Sequence, residues 1–391
     1  MLHYIKIKNL FGLYSYKLDS LFTKESPIRF ITGPNGFGKS TILSMLSHLL
    51  QCDFDYFRNI HFEEFEVRFD HKLISIAKID SLNNHIDDIP KEKAYEEKKI
   101  FISLINLSQK ASEASFFIDS HGKVDSIINK DEVEMFLLGE PHYFIRDQRL
   151  QRINMLEDDT DKLNNVNRNA FLFKELLNTC KERVSSIMSI QNFNLFDTTI
   201  SEIEYNRRKS VINTDFEKLS VYGLAGNGFD LPKYQEVASN LMGVFLNLAE
   251  NAIKYAKPLL EKIDLLKEII ESSEFADKEF QISPDFGYRF VSKNADRTLL
   301  DGSDLSSGEQ HILIQAYELL FTAPEGSLAL IDEPEMSFHM IWQMDYLKNL
   351  TKIAKHKNLQ CIVATHSPQI FDSMWDLTYD LFELTHPKIE E

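Results

Sequence analysis

The spacing of apolar residues changes several times along the chain, and each change predicts a different kind of element. Leu2-His-Tyr-Ile-Lys-Ile-Lys8 reads as strand, and Ile28-Arg-Phe-Ile-Thr32 is a short apolar run of the kind found in buried strands. Beyond a glycine-containing turn the apolar positions fall at helical spacing, at Ile42, Leu43, Met45, Leu46, Leu49 and Leu50. The segments Phe65 to Asp70, Leu73 to Ala77, Ile100 to Ile105 and Ser115 to Asp119 return to strand-like alternation and predict an antiparallel sheet beside the first. The run from Lys91 to Lys99 mixes both charge signs and reads as a solvated loop or helix face.

From about residue 160 the period lengthens. Val166, Ala170, Phe173, Leu177, Cys180, Val184 and Ile187 repeat in steps of four and three, as a coiled-coil seam does. A second seam runs through Val237, Leu241, Val244, Leu248, Ala252, Tyr255, Leu259, Ile263, Leu266 and Ile270, with Pro258 expected to kink or break it. Two such helices predict an antiparallel hairpin; at 1.5 Å per residue, thirty residues would make an arm of roughly 45 Å. A compact helical subdomain is the alternative. The stretch between the seams holds Arg207-Arg-Lys209, read as a solvated turn, and Gly223-Leu-Ala-Gly-Asn-Gly228. No strand precedes those glycines, so they do not read as a phosphate loop. Two further apolar strands, Ser327-Leu-Ala-Leu-Ile-Asp-Glu333 and Leu359-Gln-Cys-Ile-Val-Ala-Thr-His366, end in polar residues. The expected division is 1–155, 156–279 and 280–391: two halves of an α/β unit with an added antiparallel sheet, and a helical hairpin inserted between them.

Composition narrows the classes. The chain has 43 basic and 60 acidic residues, a formal net charge of −17, which argues against a broadly basic nucleic-acid surface. Cys52, Cys180 and Cys361 lack metal-ligand spacing and cannot all pair, which points to a reducing compartment. No apolar stretch reaches spanning length, so a cytoplasmic protein without a membrane segment is expected.

Four places carry candidate chemistry. Gly33-Pro-Asn-Gly-Phe-Gly-Lys-Ser-Thr41 fits G-x-x-x-x-G-K-[ST] and sits between a predicted strand and a predicted helix, the context that pattern needs. Its glycines let backbone N–H groups from Asn35 to Thr41 converge on a phosphate, Gly36 and Gly38 among them, at a helix N-terminus. Lys39 suits the β/γ-phosphates of ATP and Ser40 suits a Mg²⁺ ion. Asp332 and Glu333 close a wholly apolar strand, Asp332 suiting an indirect or water-mediated Mg²⁺ contact and Glu333 the base that polarises an attacking water. Leu305-Ser-Ser-Gly-Glu-Gln310 precedes an apolar helical run, and its Ser306 or Ser307 with Glu309 also suits a plain helix cap. Finally, His366 closes the last of the apolar strands.

Taken in order, these motifs resemble those of ABC-type ATPases in the SMC/RecF branch. The resemblance implies that Ser306, Ser307 and Gly308 bind the γ-phosphate of a nucleotide held by the opposite subunit. It implies that His366 is the switch histidine and that Gln148, in Tyr143-Phe-Ile-Arg-Asp-Gln-Arg149, reaches the metal and the attacking water. Within that branch, Asp332-Glu-Pro-Glu-Met-Ser-Phe-His339 and Ala364-Thr-His-Ser-Pro368 look like the OLD-family ATPases of bacterial defence. Two departures matter: no Toprim nuclease fits in the short tail after His366, and the insert lacks the Cys-x-x-Cys of zinc-hook proteins. Asp372, Asp376, Asp380 and Glu383 in that tail read as one helix face. The resemblance implies an ATP- and Mg²⁺-dependent sensor or regulator, homodimeric or larger through its heads, controlling a separately encoded nuclease or toxin in anti-phage defence. A RecF-like repair ATPase on duplex DNA and an ATP-assembled scaffold with slow turnover are the rival readings.

Overall fold

The computed structural model describes residues 1–23, 26–78, 100–107, 113–118, 124–125, 140–146, 165–189, 199–226, 228–273, 275, 277–372 and 374–386. Gln148 and the charged run 91–99 lie outside the described residues. The first elements are β1 (Leu2–Leu10), β2 (Tyr14–Leu18), β3 (Ile28–Thr32), α1 (Lys39–Leu50), α2 (Asp55–Asn59), β4 (Glu64–Phe69) and β5 (Lys72–Lys78). Next come β6 (Ile100–Asn106), β7 (Glu113–Ile118), β8 (Val124–Asp125), β9 (His142–Ile145), α3 (Asn165–Met188), α4 (Glu202–Val221) and α5 (Ser239–Ser272). The chain continues through β10 (Lys278–Ser283), β11 (Gly287–Ser292), β12 (Leu299–Leu300) and α6 (Ser307–Tyr317). It ends with β13 (Leu328–Asp332), α7 (Met340–Lys357), β14 (Gln360–Ala364), β15 (Thr378–Asp380) and α8 (Leu381–Thr385).

Two compact units result: Met1–Gln148 with Thr322–Glu391, and Arg149–Phe321. The first unit holds a five-stranded sheet in the order β15-β3-β14-β13-β9, parallel throughout. It also holds the expected antiparallel sheet, in the order β2-β1-β4-β5-β6-β7-β8. Strands β3 and β13 are buried at every position, as a sheet covered on both faces requires. Helix α1 supplies Ile42, Leu43, Met45, Leu46 and Leu49 to a core shared with Phe65 and Val67 of β4, Leu330 of β13 and Ile362 of β14. Fully burying one such side chain is worth about 1.5–3 kcal/mol. The register aligns Asp332 with Ala364, Ala364 with Ile31 and Asp380 with Thr32, so the carboxyl ends of these strands form one edge. In open parallel sheets that edge is where ligands bind.

The second unit departs from a two-helix hairpin. Both α3 and α4 pack on α5, and α4 lies in the stretch expected as a connection. The first seam is buried at Val166, Phe173, Leu177, Cys180 and Val184. In α5 the buried face keeps Val244, Leu248, Ala252, Ile263, Leu266 and Ile270, but Ala256 and Leu260 replace Tyr255 and Leu259, Leu241 is exposed, and Val237 lies exposed before the helix begins. Pro258 lies inside that helix without ending it. Its ring nitrogen cannot donate to the Lys254 carbonyl, and the apolar face slips by one position around it.

The segment 280–321, expected with the C-terminal half of the first unit, packs instead with the helices. The hairpin of β10 and β11 meets α3: Tyr288 donates its hydroxyl to the Val166 carbonyl at 2.7 Å. Gly287 has φ +78°, and a Cβ there would stand 1.9 Å from the Ala170 carbonyl oxygen, so only glycine permits this approach. Phe173 of α3 meets Tyr288, Tyr317 and Phe321 with ring centroids 4.9–6.0 Å apart.

Candidate nucleotide-binding site

The glycine loop sits where the sequence places it, between β3 and α1. Gly33, Gly36 and Gly38 adopt φ of +133°, +87° and +90°. A Cβ on Gly38 would lie 2.8 Å from Leu10, so the loop is tied to β1 as well as to its own helix. A Cβ on Gly36 would meet nothing within 4 Å, leaving room at the loop mouth for a phosphate oxygen. Helix α1 starts from Gly38 without a side-chain cap. Asn35 and Gly36 are exposed on the loop and Thr41 is half-buried on the first turn. The Tyr16 hydroxyl donates to the Phe37 carbonyl at 2.7 Å and fixes the loop from the antiparallel sheet.

Lys39 is only 5% exposed. Its ammonium donates to the Gly33 carbonyl at 2.9 Å and the Pro34 carbonyl at 3.2 Å, and stands 3.2 Å from His366 Nδ1. Burial draws its pKa below the ordinary lysine value, while the charges of Glu333, Asp332, Glu335 and Asp380 oppose that shift. On the other side of the histidine, Nε2 is 3.0 Å from Glu333 Oε1. With Lys39 charged, Nδ1 accepts and Nε2–H donates, so the two contacts together select the neutral Nε2–H tautomer. A chain thus runs from the lysine through the imidazole to the carboxylate.

Ser40 donates its hydroxyl to Asp332 Oδ1 at 2.9 Å. Asp332 is buried at the end of β13, as that apolar strand dictates. A hydroxyl and a carboxylate oxygen this close are hard donors that suit a small oxygen-seeking cation, and they fit a Mg²⁺ ion. Glu333 follows in the left-handed region at φ +43°, a conformation costing roughly 1–2 kcal/mol for a non-glycine residue. Its own N–H, donated to the Ala364 carbonyl at 2.9 Å, helps to hold it there.

Ser306, Ser307 and Gly308 lie in the second unit at the start of α6. Ser306 forms a full capping box: Glu309 N–H donates to Ser306 Oγ at 3.3 Å, and Ser306 N–H donates to Glu309 Oε2 at 2.8 Å. Lys278 pairs with the same buried carboxylate at 2.9 Å. The expected helix cap is therefore formed, with Ser307 exposed beside it.

Sequence reasoning did not assign a role to Glu335, Thr365 or Ser367, which join the site through hydrogen bonds between the two strand ends. The Glu-Pro-Glu spacing was the available signal, since it returns a second carboxylate to the same turn. Asp380 reaches the site too, at the end of a strand taken for helix. Asp372, Asp376, Asp380 and Glu383 fall on two short turns, a strand end and α8, and share no helix face. The basic triplet is helical and paired: Arg207 with Glu204 at 2.8 Å, Arg208 with Glu250 at 2.6 Å and Lys209 with Asp230 at 3.0 Å. Among the described residues no group of three or more His, Cys, Asp or Glu is placed to hold a metal ion, and no helix is long and apolar enough to cross a membrane. All three cysteines are buried and unpaired with each other.

A glycine loop at the carboxyl edge of a parallel sheet, with a buried lysine, a serine–aspartate pair and a glutamate–histidine pair, defines a P-loop ATPase. The chain belongs to the AAA ATPase domain family, whose model matches residues 1–371. No curated protein matches it. Among solved structures it is similar to the SmcHead bound to the C-winged helix domain of ScpA, at 12% identity and TM-score 0.38, covering 94% of this chain and 90% of that one. It is also similar to the Smc head domain with an extended coiled coil bound to the C-terminal domain of ScpA, derived from Pyrococcus furiosus. There the identity is 14% and the TM-score 0.39, with 95% and 90% of the two chains covered.

Proposed function

We propose that the chain is an ATP-hydrolysing switch, the sensor or regulator of a bacterial anti-phage defence system that controls a separate effector. The observation that carries the hydrolytic part is the chain from Lys39 through His366 to Glu333. Glu333 takes a proton from the water that attacks the γ-phosphorus; the bond to the bridging oxygen breaks, and ADP and phosphate leave. His366 donates to that carboxylate and keeps it oriented, and Lys39 faces the negative phosphate oxygens. Ser40 and Asp332 hold Mg²⁺, which supplies charge neutralisation on the triphosphate when bound. Four carboxylates act on one buried ammonium group, so a polyphosphate enters best with its charge already reduced. Ser307 and Gly308 present a helix start to a nucleotide held by a second copy of the chain.

The defence reading draws support from Glu-Pro-Glu at 333–335 and from Ala364-Thr-His-Ser-Pro368. The pairing of Arg207, Arg208 and Lys209 with acids favours a protein partner over duplex DNA. Glu333→Gln should bind ATP normally, lose at least about 100-fold in turnover and accumulate as the ATP-bound assembly, because the carboxylate acts on water in the transition state. Near-normal hydrolysis by that variant would remove Glu333 as the base. Phage challenge of cells expressing the chain alone, then with its neighbouring gene, tests the regulatory part. Protection only with the neighbour is expected. DNA cleavage by the purified chain contradicts it, and strong stimulation of hydrolysis by duplex DNA supports a repair ATPase instead.

A further inference from the structure

We infer that Glu335 is the positioning residue of the switch histidine: its carboxylate clamps the turn 365–367 and thereby sets His366 against Glu333 and Lys39. This deepens the ATPase reading and rests on it. Glu335 Oε1 accepts three hydrogen bonds, from the Thr365 hydroxyl at 2.6 Å, the His366 N–H at 2.9 Å and the Ser367 N–H at 3.2 Å. Two of these donors are successive backbone amides, which form the kind of concavity that holds an anion. Hydrogen bonds to a charged acceptor are roughly twice as strong as neutral ones, so a carboxylate holds the turn more firmly than an amide would.

The clamp belongs to a closed circuit. Glu333 N–H is donated to the Ala364 carbonyl, the chain passes through Thr365 to His366, and the imidazole returns to the Glu333 side chain. Glu335, two residues beyond the base, grips that circuit from inside. The Phe338 N–H in turn donates to the Glu335 carbonyl at 2.8 Å, and Phe338 is buried, so the gripping residue is itself anchored. Among the described residues, Glu335 Oε2 is buried with no hydrogen-bond partner, so the clamp runs through Oε1 alone. The turn also continues outward, because Ser367 donates to Gln343 of α7 at 2.6 Å. Displacement of the Glu335 carboxylate would therefore move the histidine relative to both Glu333 and Lys39.

The test compares Glu335→Ala, Glu335→Gln and Thr365→Val with the wild type and with His366→Ala, reading kcat, KM for ATP and the His366 ring signals in the NMR spectrum. The ring signals are assigned by their loss in His366→Ala. Glu335→Ala should lower kcat about 30-fold with KM within about threefold, the signature of an interaction that matters in the transition state. Glu335→Gln, which keeps a neutral and weaker acceptor, should recover part of that loss. Glu335→Ala combined with His366→Ala should be no slower than His366→Ala alone, since the clamp acts only through the histidine. Additive losses, or an unchanged kcat, overturn the inference. If the purified wild type does not turn over ATP, the ATPase reading fails by itself. The clamp is then judged by the His366 ring signals, which must shift in Glu335→Ala while those of His48 stay. Should Glu335→Ala not fold, Thr365→Val, which removes one donor, must shift the same signals; no shift there overturns the clamp.

Discussion

Two helix starts in this chain carry serine and glycine, and they are built in opposite ways. Helix α1 begins at Gly38 in the left-handed region with no side-chain cap, and the Ser40 hydroxyl is turned away to Asp332. Helix α6 begins at Ser306 with a complete capping box and a lysine behind it. A serine cap is commonly worth about 1 kcal/mol to a helix. The first start forgoes that stabilisation and leaves its amides without a side-chain cap; the second keeps it, with Ser307 exposed beside the cap. On the function proposed above, the first is the phosphate cradle and the second a preorganised donor turn. The distinction lies in whether the first-turn amides are capped from within the chain.

Lys39→Ala should break the first of these the most. It removes the buried cation that faces the phosphates, and hydrogen bonds to charged groups are worth about 1.5–3 kcal/mol each. Affinity for a non-hydrolysable ATP analogue, measured by titration calorimetry, should fall about 100-fold; unchanged affinity would remove the phosphate-loop assignment. Ser306→Ala should sharpen the contrast with a smaller effect. It deletes the α6 cap and should lower stability by about 1 kcal/mol in denaturant unfolding, with analogue binding weakened far less than by Lys39→Ala. Weakened binding with no stability loss would mean that the two starts are not built differently. The smallest effect concerns pH. Burial lowers the Lys39 pKa, and phosphate binding favours the charged form, so affinity should fall as pH rises through the depressed value, beginning below 10.5. Calorimetry at stepped pH on the wild type and Lys39→Ala reads it: the variant's profile should be flat across the same range.

How much of this was legible depended on the range of the interactions. The glycine loop, the Asp332-Glu333 strand end and the Ser306 turn each lie within a few consecutive residues, and covalent spacing alone displays their geometry. The α3 seam was legible for the same reason, since Phe173, Leu177, Cys180 and Val184 repeat every turn. Helix α4 was not, because it buries only Tyr205, Ile212, Phe216 and Leu219 among mostly polar neighbours, too sparse a stripe to stand out. Its basic triplet resembled a turn because two of the three acids that pair with it, Glu250 and Asp230, come from other segments. Pro258 does not break the helix, because a proline on an exposed face removes one hydrogen bond while Ala256, Leu260 and Ile263 still pack the opposite face. The placement of 280–321 turned on Gly287 meeting Ala170, a contact more than a hundred residues apart in sequence. Glu335 escaped a role for a similar reason: its partners follow β14, and the left-handed turn at Glu333 that aims it across has no glycine to announce it.

The central claim is that a composite site needs the phosphate loop of one copy and the Ser307 turn of another. Purified Ser307→Arg and Lys39→Ala proteins should each be nearly inactive in ATP hydrolysis. An equal mixture should regain about a quarter of wild-type activity if copies pair freely, because half the dimers then carry one intact site of two. No recovery on mixing, together with full hydrolysis by Ser307→Arg alone at high dilution, would show that one chain completes the site by itself and would contradict the account.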